Sequence, residues 1–167
     1  AFDMSYGWSW NDALHKIAPI LRASSTELET LLPHVVVTRY GADEVMQRSG
    51  EVPSSMSFVV KGRVRLAVTG ADGALIPVTT LHEGDFIGQT ALTREPVTGS
   101  AYAIGEVTML QIDRKTLEHL VFRKPELLQD LSQAIDERRE RARAAAAEVE
   151  DATAAADAAG EMPSDLT

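Results

Sequence analysis

Apolar residues along this chain change period twice, from helical spacing to alternation and back, and that change sets the expected architecture. Residues 1–10 are aromatic and small without a clear period, and read as a connector to something upstream. Asn11 is placed to cap a helix whose apolar face is Leu14, Ile17, Ile20 and Leu21, with Pro19 interrupting or kinking it. Ser24, three residues before Glu27, makes a capping-box pattern. A second short helix should therefore run to Leu32 and stop at Pro33.

From Val35 the spacing is strand-like. Short β-rich runs follow at Val35–Tyr40, Glu44–Gln47, Met56–Lys61, Arg63–Thr69, Leu75–Leu81, Ser100–Ala103 and Thr108–Asp113. Gly41, Gly50, Gly62, Gly84, Gly105 and the Ala71–Asp72–Gly73 corner punctuate them, which predicts a sandwich or barrel across 35–113. One stretch breaks the pattern. Between Phe86 and Gly99 the chain reads FIGQTALTREPVTG, a glycine ahead of a helix-compatible turn that ends before Pro96. A helical turn inserted in an all-β region, with no evident packing need, points to a ligand seat; the plain alternative is a structural corner.

Beyond Asp113 the helical spacing returns. Leu117, Leu120 and Val121 share one face, Pro125 opens a further helix, and Leu127, Leu128, Leu131 and Ile135 continue an apolar stripe. The helices flanking the strands are thus expected at Asn11–Leu32 and Thr116–Ile135. Asp136 to Arg143 is almost entirely charged, and Ala144 to Ala159 is alanine with scattered acids. Alanine and pairs such as Glu137 with Arg141 favour helix. Without an apolar face, that helix should fray, and the final MPSDLT should be disordered. The expected organisation is a connector at 1–10, one domain at 11–135 with its β-region at 35–113, and a charged tail at 136–167.

Composition narrows the function. At 167 residues, 44% hydrophobic and 25% charged, the chain suits one soluble domain. A net charge of −9 argues against a nucleic-acid surface. With no cysteine, disulfides, thiolate metal sites and cysteine nucleophiles are excluded. There is no bilayer-length apolar run and no signal peptide, so a cytoplasmic location is expected. The chain begins at Ala1 and reads as a piece of a longer polypeptide. His15, His34, His82 and His119 are scattered, which speaks against a cupin-type metal enzyme, and no nucleophile–base arrangement stands out. Neither a metal nor an enzyme is expected. The basic residues from Arg138 to Arg143 are interleaved with Glu140 and preceded by Asp136 and Glu137, and read as a solvated helix rather than a lipid or nucleic-acid contact.

Three stretches together carry a family resemblance. RYGADEVMQRSGEVPSSMSFVVKGRVRL, with Gly50–Glu51 and Gly62, resembles the first half of a cyclic-nucleotide-binding β-roll. LHEGDFIGQTALTREPVTGSAYA resembles its phosphate-binding cassette, and EVTMLQIDRKTLEHLVFRKPEL its closing strand and the helices behind it. The resemblance covers roughly residues 14–135 and gains its strength from order and spacing. It implies a mainly β fold: a double-stranded β-helix or jelly roll with helices at both ends. It implies a non-enzymatic regulatory sensor with no cofactor, whose ligand is cAMP or cGMP. The phosphate and ribose would meet Gly88, Gln89, Thr90, Ala91, Arg94, Val97, Thr98, Gly99 and Ser100, with Phe86, Ile87 and Leu92 as pocket wall. A glycine-led helical turn aims free N–H groups at one spot and suits an anion.

Two positions depart from the family's pattern. Gln89 stands where a glutamate that accepts from the ribose hydroxyl is expected, and Val97 where an arginine that pairs with the phosphate is expected. Arg94 is the candidate to replace that arginine, with Thr98 and Ser100 hydroxyls assisting; otherwise Arg94 is a solvated surface residue. Two functions therefore stand side by side. One is a cyclic-nucleotide sensor that signals through its C-terminal helix, in a parent resembling a bacterial channel or transporter and so partly membrane-embedded, with oligomerisation through that parent or helix. The other is a degenerate roll serving as a structural or assembly module. A transcription factor is a third class, but nothing after Ile135 has the turn glycine and paired apolar helices of a helix-turn-helix.

Overall fold

The structure, a computed structural model, describes residues 2–3 and 8–165, with side chains inside the range 13–152. Phe2–Asp3 (β1) and Trp8–Ser9 (β2) pair antiparallel, so the expected connector holds a small ribbon. Trp10–Leu21 (α1) follows directly and ends two residues beyond Pro19, with Ala13, Ile17 and Leu21 buried. Ser25–Leu31 (α2) opens on the expected capping box. Ser24 Oγ accepts from the Glu27 N–H at 3.3 Å, while the Ser24 N–H donates to Glu27 Oε1 at 3.3 Å. Pro33 sits in a 3-10 turn, Leu32–His34, that delivers the chain to the first roll strand.

Val35–Tyr40 (β3), Val45–Gln47 (β4), Ser55–Thr69 (β5), Leu75–Leu81 (β6), Phe86–Ile87 (β7) and Ser100–Asp113 (β8) form one six-stranded antiparallel sheet. Its path is β3-β8-β5-β6, with β4 on β8 and β7 on β5. Four of the expected short strands are in fact two long ones. Gly62 and Gly105 were expected as turns, yet β5 runs through the first and β8 through the second. Both have positive φ, +98° and +69°, and the β5–β8 register shifts between Val59 and Arg63. A bulge of this kind bends a paired strand without ending it. The glycines mark where the chain bends, not where it stops.

Two buried clusters result. One lies on the helical side, where Met56, Phe58, Leu110 and Ile112 meet α1, α2 and the C-terminal helices. The other fills the roll, around Val59, Val64, Leu66, Ile87 and Met109. Asp113 caps Arg114–Arg123 (α3), its Oδ1 accepting from the Thr116 N–H at 2.9 Å. Glu126–Asp165 (α4) follows. Leu127, Leu131 and Ile135 of α4 are buried, as the stripe predicts, but Leu128 is 41% exposed because a residue adjacent in sequence points off the buried face. Arg22 Nη2 meets Asp130 Oδ1 of α4 at 3.1 Å and Lys124 Nζ, at the C-cap of α3, meets Glu27 Oε1 at 2.7 Å, tying the α1–α2 region to the α3–α4 junction.

The charged segment packs on the domain, against expectation. The helix continues without a break through the charged segment, and its residues around 138–142 pack on the roll. Of MPSDLT, residues 162–165 have helical backbone and the last two lie outside the described residues. Among the described residues no helix is long and apolar enough to cross a membrane.

The two corner glycines make a matched test. A Cβ on Gly62 would lie 2.4 Å from the Glu106 carbonyl oxygen, whereas one on Gly105 meets nothing. Gly62→Ala combines left-handed strain with overpacking and should cost about 2–5 kcal/mol, against about 1 kcal/mol for Gly105→Ala. Urea unfolding of the two variants checks it. Equal losses would mean that the close crossing does not constrain the corner.

Candidate functional site

The cassette segment starts where β7 pairs with β5, Phe86 opposite Phe58 and Ile87 opposite Ser57. Gly88 then turns left-handed, φ +76°, and a Cβ there would lie 2.3 Å from the Ser55 carbonyl oxygen. Its close approach is therefore to the protein's own strand β5. Gln89–Ala91 follow as a 3-10 turn, all buried, with Ala91 in the helix-side core. The inserted turn does meet a packing need, contrary to expectation. Thr90 is 2% exposed and its hydroxyl has no hydrogen-bond partner among the described residues.

Arg114, which the sequence reading missed, holds the turn from outside. Its Nε donates to the Ala91 carbonyl at 2.7 Å and its Nη2 to the Pro53 carbonyl at 2.8 Å. Nothing in its spacing marks that role, because both partners are backbone atoms brought in by a distant loop and the 3-10 turn. The far half of the cassette is zipped to the loop after β4. Val97 exchanges backbone hydrogen bonds with Gly50 and Glu51, and Gln47 Nε2 donates to the Gly99 carbonyl at 3.0 Å. Ser100 Oγ accepts from the Ser49 N–H at 3.1 Å, and Ser49 Oγ donates to the Thr98 carbonyl at 3.2 Å. The Ser100 hydroxyl is thus engaged within the fold.

The cations fall elsewhere than expected. Arg94, at φ +57°, turns to α3, where its Nη2 lies 3.3 Å from Glu118 Oε1 on the exposed surface. It does not line the cavity beside Gln89. A different arginine reaches the cassette. Arg138 of α4 donates through Nη1 to Gln89 Oε1 at 2.9 Å, and its guanidinium carbon lies 4.6 Å from the Phe86 ring centre. Phe86 in turn rests on Phe58, 6.0 Å between centroids. Next along the helix, Arg139 Nη2 meets Glu95 Oε2 at 2.7 Å. Loss of water pushes the Arg138 guanidinium down to about 10, with the nearby charge of Asp85 opposing that fall and Arg141 adding to it. It remains cationic at neutral pH. Hydrogen bonds from Arg139 and Thr93 hold the Glu95 carboxyl below the usual range. The expectation of a wholly solvated basic segment is corrected: Arg138 and Arg139 are partly buried, while Arg143 stays exposed. Residues 127, 131, 135, 138 and 142 share one helical face, so Arg138 continues the buried stripe.

A cavity of about 40 Å³ lies between these parts. Gln89, Val97, Thr98 and Gly99 line it from the cassette, with Leu66–Val68 of β5 behind and Arg138 and Arg141 closing it. Of the other predicted residues, Ile87 belongs to the roll core, and Ala91 and Leu92 pack in the helix-side core. That volume is far below the roughly 300 Å³ or more of small-molecule sites, and Arg138, Arg141 and Ala142 of α4 occupy one side of it. A second cavity, of about 500 Å³, lies between α2 and α3 and gathers His34 and His119 with Glu27 and Asp113. Glu27 pairs with Lys124 and Asp113 caps α3, and among the described residues no group of His, Cys, Asp and Glu is arranged to hold a metal.

A β-roll whose β7 leads into a buried helical turn, backed by α3 and α4, is the architecture the resemblance implies. The family model for the cyclic nucleotide-binding domain matches residues 37–124. The chain belongs to the cyclic nucleotide-binding domain family. It is a regulatory, sensor-like module of that family and not an enzyme. Over 107 residues, 63% of its length, the domain is 29% identical to the cAMP-activated global transcriptional regulator CRP of Pasteurella multocida. It is 27% identical to the CRP of Salmonella typhimurium over the same length. It spans about half of each of these relatives, 51%. Solved structures with the same fold include the Thermus thermophilus catabolite activator protein (TM-score 0.63, 21% identity, 81% of this chain and 63% of that one). The regulatory domain of Toxoplasma gondii PKA, solved with cAMP, superposes at TM-score 0.67 and 19% identity over 77% of this chain and 49% of that one.

Arg114 gives the site its test. Arg114→Ala removes two charge-assisted hydrogen bonds from partly buried carbonyls and should destabilise the domain by about 2–4 kcal/mol in denaturant unfolding. Arg114→Lys, able to reach one carbonyl at a time, should recover only part. An unchanged midpoint for the alanine variant would show that water replaces both bonds.

Proposed function

We propose that this domain is the ligand-sensing part of a regulatory protein, that its ligand is cAMP or cGMP, and that α4 carries the signal. The observation that supports this most is the grip of α4 on both ends of the cassette, through Arg138 on Gln89 and Arg139 on Glu95. A nucleotide is too large for the space beside Gln89, Val97 and Gly99, so it must displace the α4 side chains that close it. Occupancy and helix position are then linked, because a ligand that meets the two helix positions differently shifts their populations. Gln89 retains an acceptor for a ribose hydroxyl, though without charge.

The relatives' names favour a transcriptional regulator as the parent, and none of those given above supports a channel or transporter. Either parent would place this domain in the cytoplasm. In a transcriptional regulator, DNA contact would fall to another part of the protein, since this chain carries −9. The degenerate-module reading keeps one specific observation in its favour: Val97 is buried and Arg94 faces Glu118, so the cassette itself offers no cation.

Calorimetry of the whole chain with cAMP and with cGMP separates the readings. A binding isotherm is expected with at least one of them, and at a hundredfold excess over Kd the domain should gain about 2.7 kcal/mol of stability. No heat and no melting shift at millimolar ligand would leave the assembly module. Hydrogen exchange should also change at saturating ligand in α4 from Ile135 to Ala146, while the β5–β8 ladder stays as it was. Unchanged α4 protection would make that helix purely structural.

A further inference from the structure

We propose that Arg138 is the anion-binding residue of this pocket, delivered by helix α4 in place of a cation on the cassette itself. The inference rests on the nucleotide reading above and deepens it by naming the residue that recognises the charge.

Arg138 is a cation with incomplete pairing. Its contacts are a neutral amide oxygen, Gln89 Oε1, and the face of the Phe86 ring. Among the described residues no carboxylate lies within ion-pair distance of it. Asp85 acts on it only through longer-range charge, and an Asp85 oxygen accepts from the His82 N–H at 2.9 Å. By contrast its neighbour Arg139 has Glu95 and the cassette's own Arg94 has Glu118. Partial desolvation of a guanidinium without a counter-charge is costly unless something anionic meets it.

Its position matches that need. Gln89 is the first residue of the turn after Gly88, and the guanidinium it accepts from lines the cavity beside Val97 and Gly99. A planar, forked donor is suited to two oxygens of one phosphate group. The second α4 arginine on that cavity, Arg141, adds positive charge on the same side. A ligand must lift the α4 side chains to enter, and an anion then gives Arg138 the partner it lacks. Charge recognition and helix position become one event, because the cation rides on α4.

The test measures affinity of the whole chain for cAMP and cGMP, with adenosine and guanosine as the uncharged counterparts, in wild type, Arg138→Met and Arg138→Lys. Arg138→Met keeps length and apolar contact but removes charge. It should weaken the preferred cyclic nucleotide ten- to a hundredfold, the worth of one charge-assisted hydrogen bond, and leave the nucleoside within about twofold. Arg138→Lys, which keeps the charge but not the fork, should recover only part of the affinity, and Arg94→Ala should change nothing. Tighter cyclic-nucleotide binding in Arg138→Met would identify a plug and overturn the inference. So would unchanged affinity, or a parallel loss for nucleoside and nucleotide. Wild type binding neither cyclic nucleotide would instead sink the proposed function, and this inference with it.

Discussion

Strands β5 and β8 stay paired from Ser55 opposite Asp113 to Ala67 opposite Ser100, and this one bent ladder is what everything else hangs on. A flat ladder of that length would leave one face to water. The positive φ of Gly62 and Gly105 lets both strands change direction together, and the Glu106 carbonyl passes where a side chain at Gly62 would be. On one side of the corner, Met56, Phe58, Leu110 and Ile112 face the helices; on the other, Val64, Leu66, Ala101 and Ala103 face the roll interior. The cassette bridges the halves. Its first part is seated on Ser55–Phe58, and the cavity beside its second part is backed by Leu66–Val68.

Helix α4 reads out that geometry. Leu127, Leu131 and Ile135 fix its direction by burial, each worth roughly 1.5–3 kcal/mol relative to exposure. A rigid helix then has no freedom in where its next turns go. Residue 138 falls on the same face, three positions on, and arrives above Phe86. The arginine there is tolerated because the aromatic face and the Gln89 oxygen replace part of its water. The Arg22–Asp130 pair is largely exposed and contributes little energy by itself, while the partly buried Lys124–Glu27 pair holds the junction just before the same helix.

Much of this was legible in the sequence. The change of period located the roll and the helices, Ser24 and Glu27 announced a cap that is present atom for atom, and three ordered segments carried the family. What was not legible has physical causes. A glycine reads the same in sequence whether the strand ends or merely bends, so spacing alone does not tell Gly62 and Gly105 from turns. The spacing does not show that Gly88 also has to clear the backbone of Ser55, 33 residues earlier in the chain. Arg114 and Arg138 act on atoms brought close only by folding. Arg138 did carry one signal, its i+3 place after Ile135, which a count of apolar residues alone passes over.

The acidity of the chain and the basicity of its pocket are not in conflict. A net charge of −9 is spread over the surface, and interactions between exposed charges fade beyond the Debye length, about 8 Å at physiological salt. A guanidinium that has lost part of its water, as Arg138 has, is screened far less, so an anion bound beside Gln89 as proposed would respond to it more than to the distant carboxylates. The same surface disfavours loose association with other polyanions. On the proposed reading, charge selectivity depends on where one helix sets down one arginine, and three buried aliphatic side chains below it set the helix that carries it.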